Sequence, residues 1–311
     1  MATATLMPNR KKIFITGANG LLGQKLVEQL VQKEEFEIIA SGKGACRLTG
    51  AGYKYVSLDI TDPTEVNLVL AEIQPEIIIH GAAITNVDVC ELNQEACFEV
   101  NVKATEYLVS AGELCKSHFI YVSTDFIFSG ETGPLDESAL PSPVNFYGQT
   151  KLEAERFVMN HSSKWAIART VLVYGIANDL SRSNIILWVK SSLEAGKEIQ
   201  VVDDQFRTPT LAEDLATGCI LIAERSAVGV FHISGSDFLT PYQMAIMTAE
   251  YFGLDKSLIK RADSSTFTQP AKRPLKTGFI IEKARKELGF EPKTFREGIA
   301  ILANQFNLAR S

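Results

Sequence analysis

The feature that most constrains this chain is the alternation of short apolar, β-branched runs with helical stretches. Runs at residues 12–16, 37–40, 55–58, 76–80, 118–123, 166–173 and 228–233 read as strands. Segments 21–33, 93–116 and 147–160 between them carry helical periodicity. The 76–80 run, EIIIH, is apolar at nearly every position, as a strand covered on both faces must be. Strands alternating with helices connect through right-handed crossovers. The pattern therefore predicts an α/β fold with a doubly wound, parallel, Rossmann-type sheet.

Composition narrows the class. The 311 residues are 46% hydrophobic and 22% charged, enough apolar material for a large core. A net charge of −6 without a basic cluster argues against nucleic acid and against an anionic membrane surface as partners. No apolar run approaches the ~20 residues that cross a bilayer, and residues 1–12 lack the apolar stretch of a signal peptide. Cys46, Cys90, Cys97, Cys115 and Cys219 are scattered and form no C-x-x-C pair, which suits reduced thiols and a cytoplasmic location. His80, His118, His161 and His232 show no metal-ligand spacing, so no metal site is expected. His80 reads as a satisfied strand-end histidine.

The first strand leads directly into Gly17-Ala18-Asn19-Gly20-Leu21-Leu22-Gly23, and this turn opens the first helix. A pyrophosphate must approach the backbone closely. Glycines remove the side chains in its way, and a helix N-terminus offers free N–H groups. A glycine-rich turn alone also fits any tight strand–helix connection, but here strand, turn and helix come in the required order. Residues 1–175 are therefore expected to bind a dinucleotide, with a return to the sheet near 200–233. Segments 176–199 and 234–311 would form a smaller C-terminal substrate-binding region. At the end of the second strand an acid usually holds the ribose of NAD. This chain instead has Ser41-Gly42-Lys43, with Arg47 nearby, which favours the 2′-phosphate of NADP(H) over NAD(H).

Tyr147 and Lys151 lie four residues apart on a predicted helix and so share a face. A tyrosine at its usual pKa of ~10 is a poor acid–base catalyst, and a nearby ammonium should lower that pKa. Tyr147 could then exchange a proton with a carbonyl or alcohol oxygen. Ser123-Thr124-Asp125 closes the fifth strand, where α/β sheets place their ligands. Thr124 is the expected hydrogen-bond donor to the substrate carbonyl, and Asp125 either bonds the substrate or forms a local turn.

Together S-T-D-F-I-F-S-G (123–130), P-V-N-F-Y-G-Q-T-K (143–151) and A-R-T-x-L-V-Y-G (168–175) closely resemble the dTDP-4-dehydrorhamnose reductases, a group of extended short-chain dehydrogenases. T-N-V-D-x-x-E (85–91), Val100-Asn101, Asp204-Gln205 with Pro209-Thr210, and Arg273-Pro274 extend the likeness from residue 12 to about 289. The resemblance implies NADPH-dependent reduction of the C4 keto group of a nucleotide-linked deoxysugar, as in dTDP-rhamnose biosynthesis. It gives the catalytic roles to Thr124, Tyr147 and Lys151 and makes Asn101 a support of the wall. It puts Asp59-Ile60 against the adenine and Ala82-Ala83 along the cofactor. Thr85, Val87, Asp125, Arg207 and Arg273 fall on the substrate side, with Arg273 paired to the diphosphate. Some members use magnesium. The nucleotide-sugar is the expected partner and a homodimer the expected assembly.

The chain departs from the family pattern in places. His80-Gly81 stands where Asn-Ala is usual, Arg207 replaces a glycine, and Leu152-Glu153-Ala154-Glu155 is common among epimerases. A nucleotide-sugar epimerase or dehydratase of the same fold is thus one alternative. A regulatory subunit resembling the β subunit of methionine adenosyltransferase is the other.

Overall fold

The computed structural model describes residues 10–178 and 184–308; most of segment 1–12 and part of the expected 176–199 region lie outside these. The first half runs β1 (Lys11–Thr16), α1 (Leu21–Leu30), β2 (Phe36–Gly42), β3 (Tyr53–Ser57), α2 (Pro63–Ile73), β4 (Ile77–His80), α3 (Val87–Leu92), α4 (Gln94–Phe98), α5 (Ala104–Leu114), β5 (His118–Thr124), α6 (Phe146–His161) and β6 (Trp165–Thr170). The second half runs β7 (Val173–Tyr174), α7 (Ile185–Glu194), β8 (Ile199–Val202), β9 (Thr210–Leu211), α8 (Ala212–Arg225), β10 (Gly229–His232), α9 (Pro241–Phe252), β11 (Ile259–Ala262), α10 (Glu282–Leu288) and α11 (Phe295–Leu308).

Seven strands form one all-parallel sheet in the order β10-β6-β5-β4-β1-β2-β3. Successive side chains of a strand point to opposite faces. Ile13 and Ile15 of β1 therefore meet Leu26 of α1, Leu215 of α8 and Leu288 of α10 on one side. Phe14 meets Leu70 of α2, Leu108 of α5 and Val158 of α6 on the other. Burying each such Leu, Ile or Phe contributes about 1.5–3 kcal/mol, and this fixes the sheet between its two helical layers. The strand order reverses between β1 and β4. A doubly wound sheet opens its ligand crevice at such a point, beyond the carboxyl ends of the strands.

Several elements differ from the sequence expectation. The run 166–173 is not one strand: β6 stops at Thr170 and Leu172 takes a left-handed φ of 39°. The short β7 that follows pairs with β9 instead of the main sheet. Within the expected return near 200–233, only β10 joins the main sheet, beside β6. Residues Ile199–Val202 pair with β11 in a separate two-stranded sheet. The helical stretch 93–116 is interrupted by a π-helical turn, Glu99–Lys103, between α4 and α5. Helix α2 lies outside the predicted helical segments although its start signal is local: Asp62 caps it, accepting from the N–H groups of Thr64 and Glu65, and Pro63 takes its first position.

Candidate active site

The glycine loop sits where β1 and β4 part. Gly17 has φ +72°, and a Cβ there would lie 2.9 Å from Cα and N of Ala82, so only glycine lets the loop touch the turn after β4. A Cβ on Gly23 would come within 2.4 Å of the Gly17 carbonyl. Gly20 precedes α1 and no side chain caps that helix, which leaves the first-turn N–H groups, including those of Leu21 and Leu22, without a helical partner. A bare helix N-terminus behind a side-chain-free cradle fits a pyrophosphate.

Asn19 braces the loop after β2. Its Nδ2 donates to the Ala45 carbonyl (3.0 Å) and to the Tyr55 hydroxyl (2.9 Å), and its Oδ1 accepts from the Arg47 N–H (2.8 Å). Tyr55 in turn donates to the Gly42 and Gly44 carbonyls. Ser41 is buried, whereas Lys43 is exposed and pairs with Asp59 at 2.5 Å. Lys43, then Thr61, holds the Asp59 carboxyl below its usual range. Two residues expected to meet the cofactor from different strands are thus joined to each other. Ile60 packs against the core on the α2 side.

His80 is the strand-end histidine expected from the sequence. Its Nδ1 meets Thr16 Oγ1 at 2.7 Å and its Nε2 meets Thr105 Oγ1 at 3.0 Å. Thr105 donates to the Asn101 carbonyl and Thr16 accepts from the Ala82 N–H, so the ring donates through Nε2. Burial pushes its pKa down to about 3, and the imidazole is neutral. This chain of bonds ties the turn bearing Ala82 and Ala83 to the π-helical turn carrying Asn101. The Asn101 amide then grips Ile84 on both sides, accepting from its N–H (2.8 Å) and donating to its carbonyl (3.0 Å). Single π turns recur at functional sites because they rotate one side chain out of helical register.

Thr124, Tyr147 and Lys151 converge at the carboxyl end of β5. Asn145 caps α6 by accepting from the Gly148 N–H at 2.8 Å. Gly148 has no room for a side chain, since a Cβ would stand 2.1 Å from the Phe126 carbonyl oxygen. The helix therefore lies hard against the loop after β5, and Tyr147 packs edge-on to Phe126. Lys151 is 3% exposed, donates to the Val122 carbonyl at 2.8 Å and sits 4.1 Å above the Tyr121 ring. Burial presses its pKa down to about 7, against the pull of Glu155. One expectation is corrected here. Tyr147 is buried, and burial raises its pKa more than the facing Thr124 hydroxyl lowers it. The phenol stays protonated, the state a proton donor requires.

On the substrate side, two expected contacts turn inward. Arg207 is 4% exposed; its Nη1 donates to the Phe206 (2.7 Å) and Leu275 (3.0 Å) carbonyls and its Nη2 to that of Pro274 (2.6 Å). The expectation that it binds substrate gives way to a structural role, because a buried guanidinium satisfies itself on the nearest carbonyls. Asp125 is likewise buried, accepting from Thr124 and Thr277 and lying 3.7 Å from Arg207 Nε, with its pKa raised by burial. Arg273 is less enclosed. It forms a two-pronged pair with Asp88 (2.7 and 2.6 Å) and borders a cavity of about 240 Å³ shared with Trp188, Gln205 and Gln269. Val87 packs in the apolar cluster around Tyr147, and Thr85 is exposed above it.

The sequence motifs contain the braces of this wall without showing what they brace. Glu91 accepts from the Phe146 N–H at the start of α6, Asn145 Nδ2 donates to the Lys272 carbonyl, and Asp88 also accepts from the Ala271 N–H. Asn145 carries a readable local signal, an Asx residue just before a helix. Asp88 and Glu91 are fixed positions of the 85–91 motif, but their partners lie 55 to 183 residues away and only the fold reveals them.

The comparisons agree with this architecture. The family described as RmlD substrate binding domain matches residues 11–308. Methionine adenosyltransferase 2 subunit beta of Bos taurus is 31% identical over 94% of this chain and 87% of its own. The protein named probable low-salt glycan biosynthesis reductase Agl14 of Haloferax volcanii is 32% identical over 94% and 98%. The crystal structure of dTDP-4-dehydrorhamnose reductase from Bacillus anthracis str. Ames in complex with NADP superposes with a TM-score of 0.84 at 28% identity, covering 95% of this chain and 99% of that one. Its counterpart from Clostridium acetobutylicum gives 0.85 at 28% identity, covering 95% and 99%. With a Rossmann-type sheet, a glycine cradle and a family match that runs nearly end to end, the chain belongs to the dTDP-4-dehydrorhamnose reductase family.

Proposed function

We propose that this protein is an NADPH-dependent reductase of the C4 keto group of a nucleotide-linked deoxysugar. The observation that carries the reading is the convergence of Thr124, Tyr147 and Lys151 at the same carboxyl edge of the sheet as the uncapped start of α1. Gly17, Gly20, Leu21, Leu22 and Gly23 would hold the dinucleotide through backbone, with Ala82 and Ala83 as its wall and Ser41, Lys43, Asp59 and Ile60 at the adenosine end. NADPH bound there supplies the hydride.

Negative charge then develops on the former carbonyl oxygen. Tyr147 gives that oxygen its proton, breaking the phenolic O–H bond and forming the alcohol. Thr124 steadies the oxygen by turning its hydroxyl away from Asp125 Oδ1, now 3.1 Å away. Asp125 keeps Thr277 and Arg207 as partners when this happens. Lys151, titrating near neutrality, stabilises the phenolate and passes it a proton, which the amine regains from solvent. Arg273 meets the diphosphate at the cavity edge. Incubating the purified protein with NADPH and dTDP-4-dehydrorhamnose, and following NADPH loss, tests the reading; no turnover with this or related 4-keto-sugars refutes it.

A second reading, a binding subunit, is favoured by the 31% identity to methionine adenosyltransferase 2 subunit beta. A protein that binds NADPH, reduces none of these sugars and associates with a methionine adenosyltransferase catalytic subunit would support it.

A further inference from the structure

Tyr147 and Lys151 occupy one stripe of α6, and the next position of that stripe is Glu155. Glu155 has no exposed surface, although its neighbour Glu153 faces solvent. Arg169 of β6 closes on it from the sheet, with Nε to Oε1 at 3.0 Å and Nη2 to Oε2 at 2.7 Å. In the β5–β6 register Arg169 stands opposite Ser123, one residue before the Thr124–Thr170 pair. The ion pair thus bolts α6 to the sheet directly beside the catalytic residues. A buried ion pair is a weak source of stability, because desolvating two charges offsets most of their attraction and an apolar pair of similar volume often does as well. Stability alone does not account for it.

The surroundings of Lys151 supply a reason. On α6 it is flanked by Tyr147 and Glu155. From β5 come the Tyr121 ring and the Val122 carbonyl. His80 of β4 is neutral, Cys90 of α3 and Cys97 of α4 are free cysteines that pull the Lys151 pKa up less than Glu155 does, and Arg169 is engaged by Glu155. Glu155 is the carboxylate in this shell, and it opposes the burial that drives Lys151 toward its neutral form.

We propose that Glu155, aimed and locked by Arg169, is a positioning residue for Lys151: its buried carboxylate holds the lysine as an ammonium against Val122 and the Tyr121 ring. The assignment rests on the reductase reading for the use made of Lys151, but the charge coupling is measurable without any substrate. In the full-length protein with lysines labelled with ¹³C at Cε, the Lys151 resonance is identified by its loss in Lys151→Arg and followed through a pH titration. Glu155→Gln keeps the shape and removes the charge, and it should lower the Lys151 midpoint by about one pH unit, a tenfold loss of proton affinity. Glu155→Asp keeps the charge and should stay near the parent.

Glu155→Gln leaves Arg169 buried and unpaired and so risks unfolding. The double variant Glu155→Gln/Arg169→Gln removes both charges at nearly constant volume and should show a smaller fall in the same direction, because the Arg169 cation that offsets Glu155 goes with it. An unchanged midpoint in whichever of these variants folds overturns the assignment, even if activity is normal. With NADPH and a keto-sugar, the alkaline fall of kcat should move down by the same interval with little change in KM, whereas a purely structural role would lower stability and leave that profile in place. A shifted midpoint in a protein that reduces no sugar would sustain the coupling and defeat the reductase reading instead.

Discussion

Gly148 lies within the first turn of a sixteen-residue helix, two residues after its start, and helix propensity alone says that alanine there should stabilise the fold by about 0.5–1 kcal/mol. We expect the opposite. An alanine Cβ would stand 2.1 Å from the Phe126 oxygen, 2.9 Å from the Phe126 carbon and 3.0 Å from Pro143 Cβ. Neither the Phe126 backbone nor the closed Pro143 ring can rotate aside, so α6 must retreat by about 1 Å, and overpacking of this kind costs about 1–3 kcal/mol. The retreat carries Tyr147, the preceding residue, away from Thr124. A misplacement of about 1 Å at a reacting group can reduce turnover about 10²-fold. Thermal melting of Gly148→Ala gives the first number and single-turnover NADPH oxidation with dTDP-4-dehydrorhamnose the second. NADPH affinity should survive, because the glycine loop of α1 is untouched. A variant that melts at or above the parent temperature, or turns over at the parent rate, would refute the packing argument.

Tyr147→Phe keeps the ring and its contact with Phe126 but removes the transferable proton; kcat should fall about 10²–10⁴-fold with NADPH binding intact, as stopped-flow and fluorescence titration would report. Lys43→Ala frees Asp59 and removes the cation nearest the proposed 2′-phosphate, so the affinity ratio of NADPH to NADH should drop about tenfold or more; an unchanged ratio in equilibrium titrations would discard Lys43 as the discriminator. Burial holds His80 and His232 down to about 3 and His118 to about 4 in the folded protein. Between those values and about 6.5 the unfolded chain binds protons the folded one does not, so stability is full above that range and declines as pH falls, by up to about 1.4 kcal/mol per unit for each histidine. Urea unfolding at a series of pH values should show this slope, flattened in His80→Gln, and a pH-independent midpoint would contradict it.

The sheet was legible because its central strands are buried on both faces and therefore apolar at almost every position, as the run from Ile77 to Ile79 shows. Where packing and local preference diverge, the pattern misleads. Residues 166–173 read as one strand, yet Leu172 turns left-handed and the chain leaves the sheet. The 200–202 segment lies inside the expected return to the sheet, yet it pairs with β11 while β10 takes the place beside β6. The same division holds in the site. Tyr147 and Lys151 are a local signal, four residues apart on one helix. Their pKa values are not local: burial raises the tyrosine and lowers the lysine, and burial depends on elements far away in sequence. The family resemblance puts Arg207 on the substrate side, and only the fold reveals that Phe206, Pro274 and Leu275 supply the carbonyls that its guanidinium meets.

The outer wall of the crevice is built before any ligand arrives. Asp88 holds Ala271 and Arg273, Asn145 holds Lys272, Arg207 holds Pro274 and Leu275, and the Gly130 carbonyl accepts from the Lys276 N–H. Each brace starts from a different element, so the 271–276 segment cannot swing as a lid without breaking several at once. Arg273 is thereby presented at the cavity in a fixed orientation. Its bonds to Asp88 and to the Ala271 carbonyl use both protons of Nη1 and one of Nη2. Nε–H and the second Nη2 proton are not used by these bonds. Under the proposed function a diphosphate would meet those two protons without displacing Asp88. The carboxylate would then aim the guanidinium, weakening its net charge while fixing its direction, and such a site would select on the position of the anion more than on its charge.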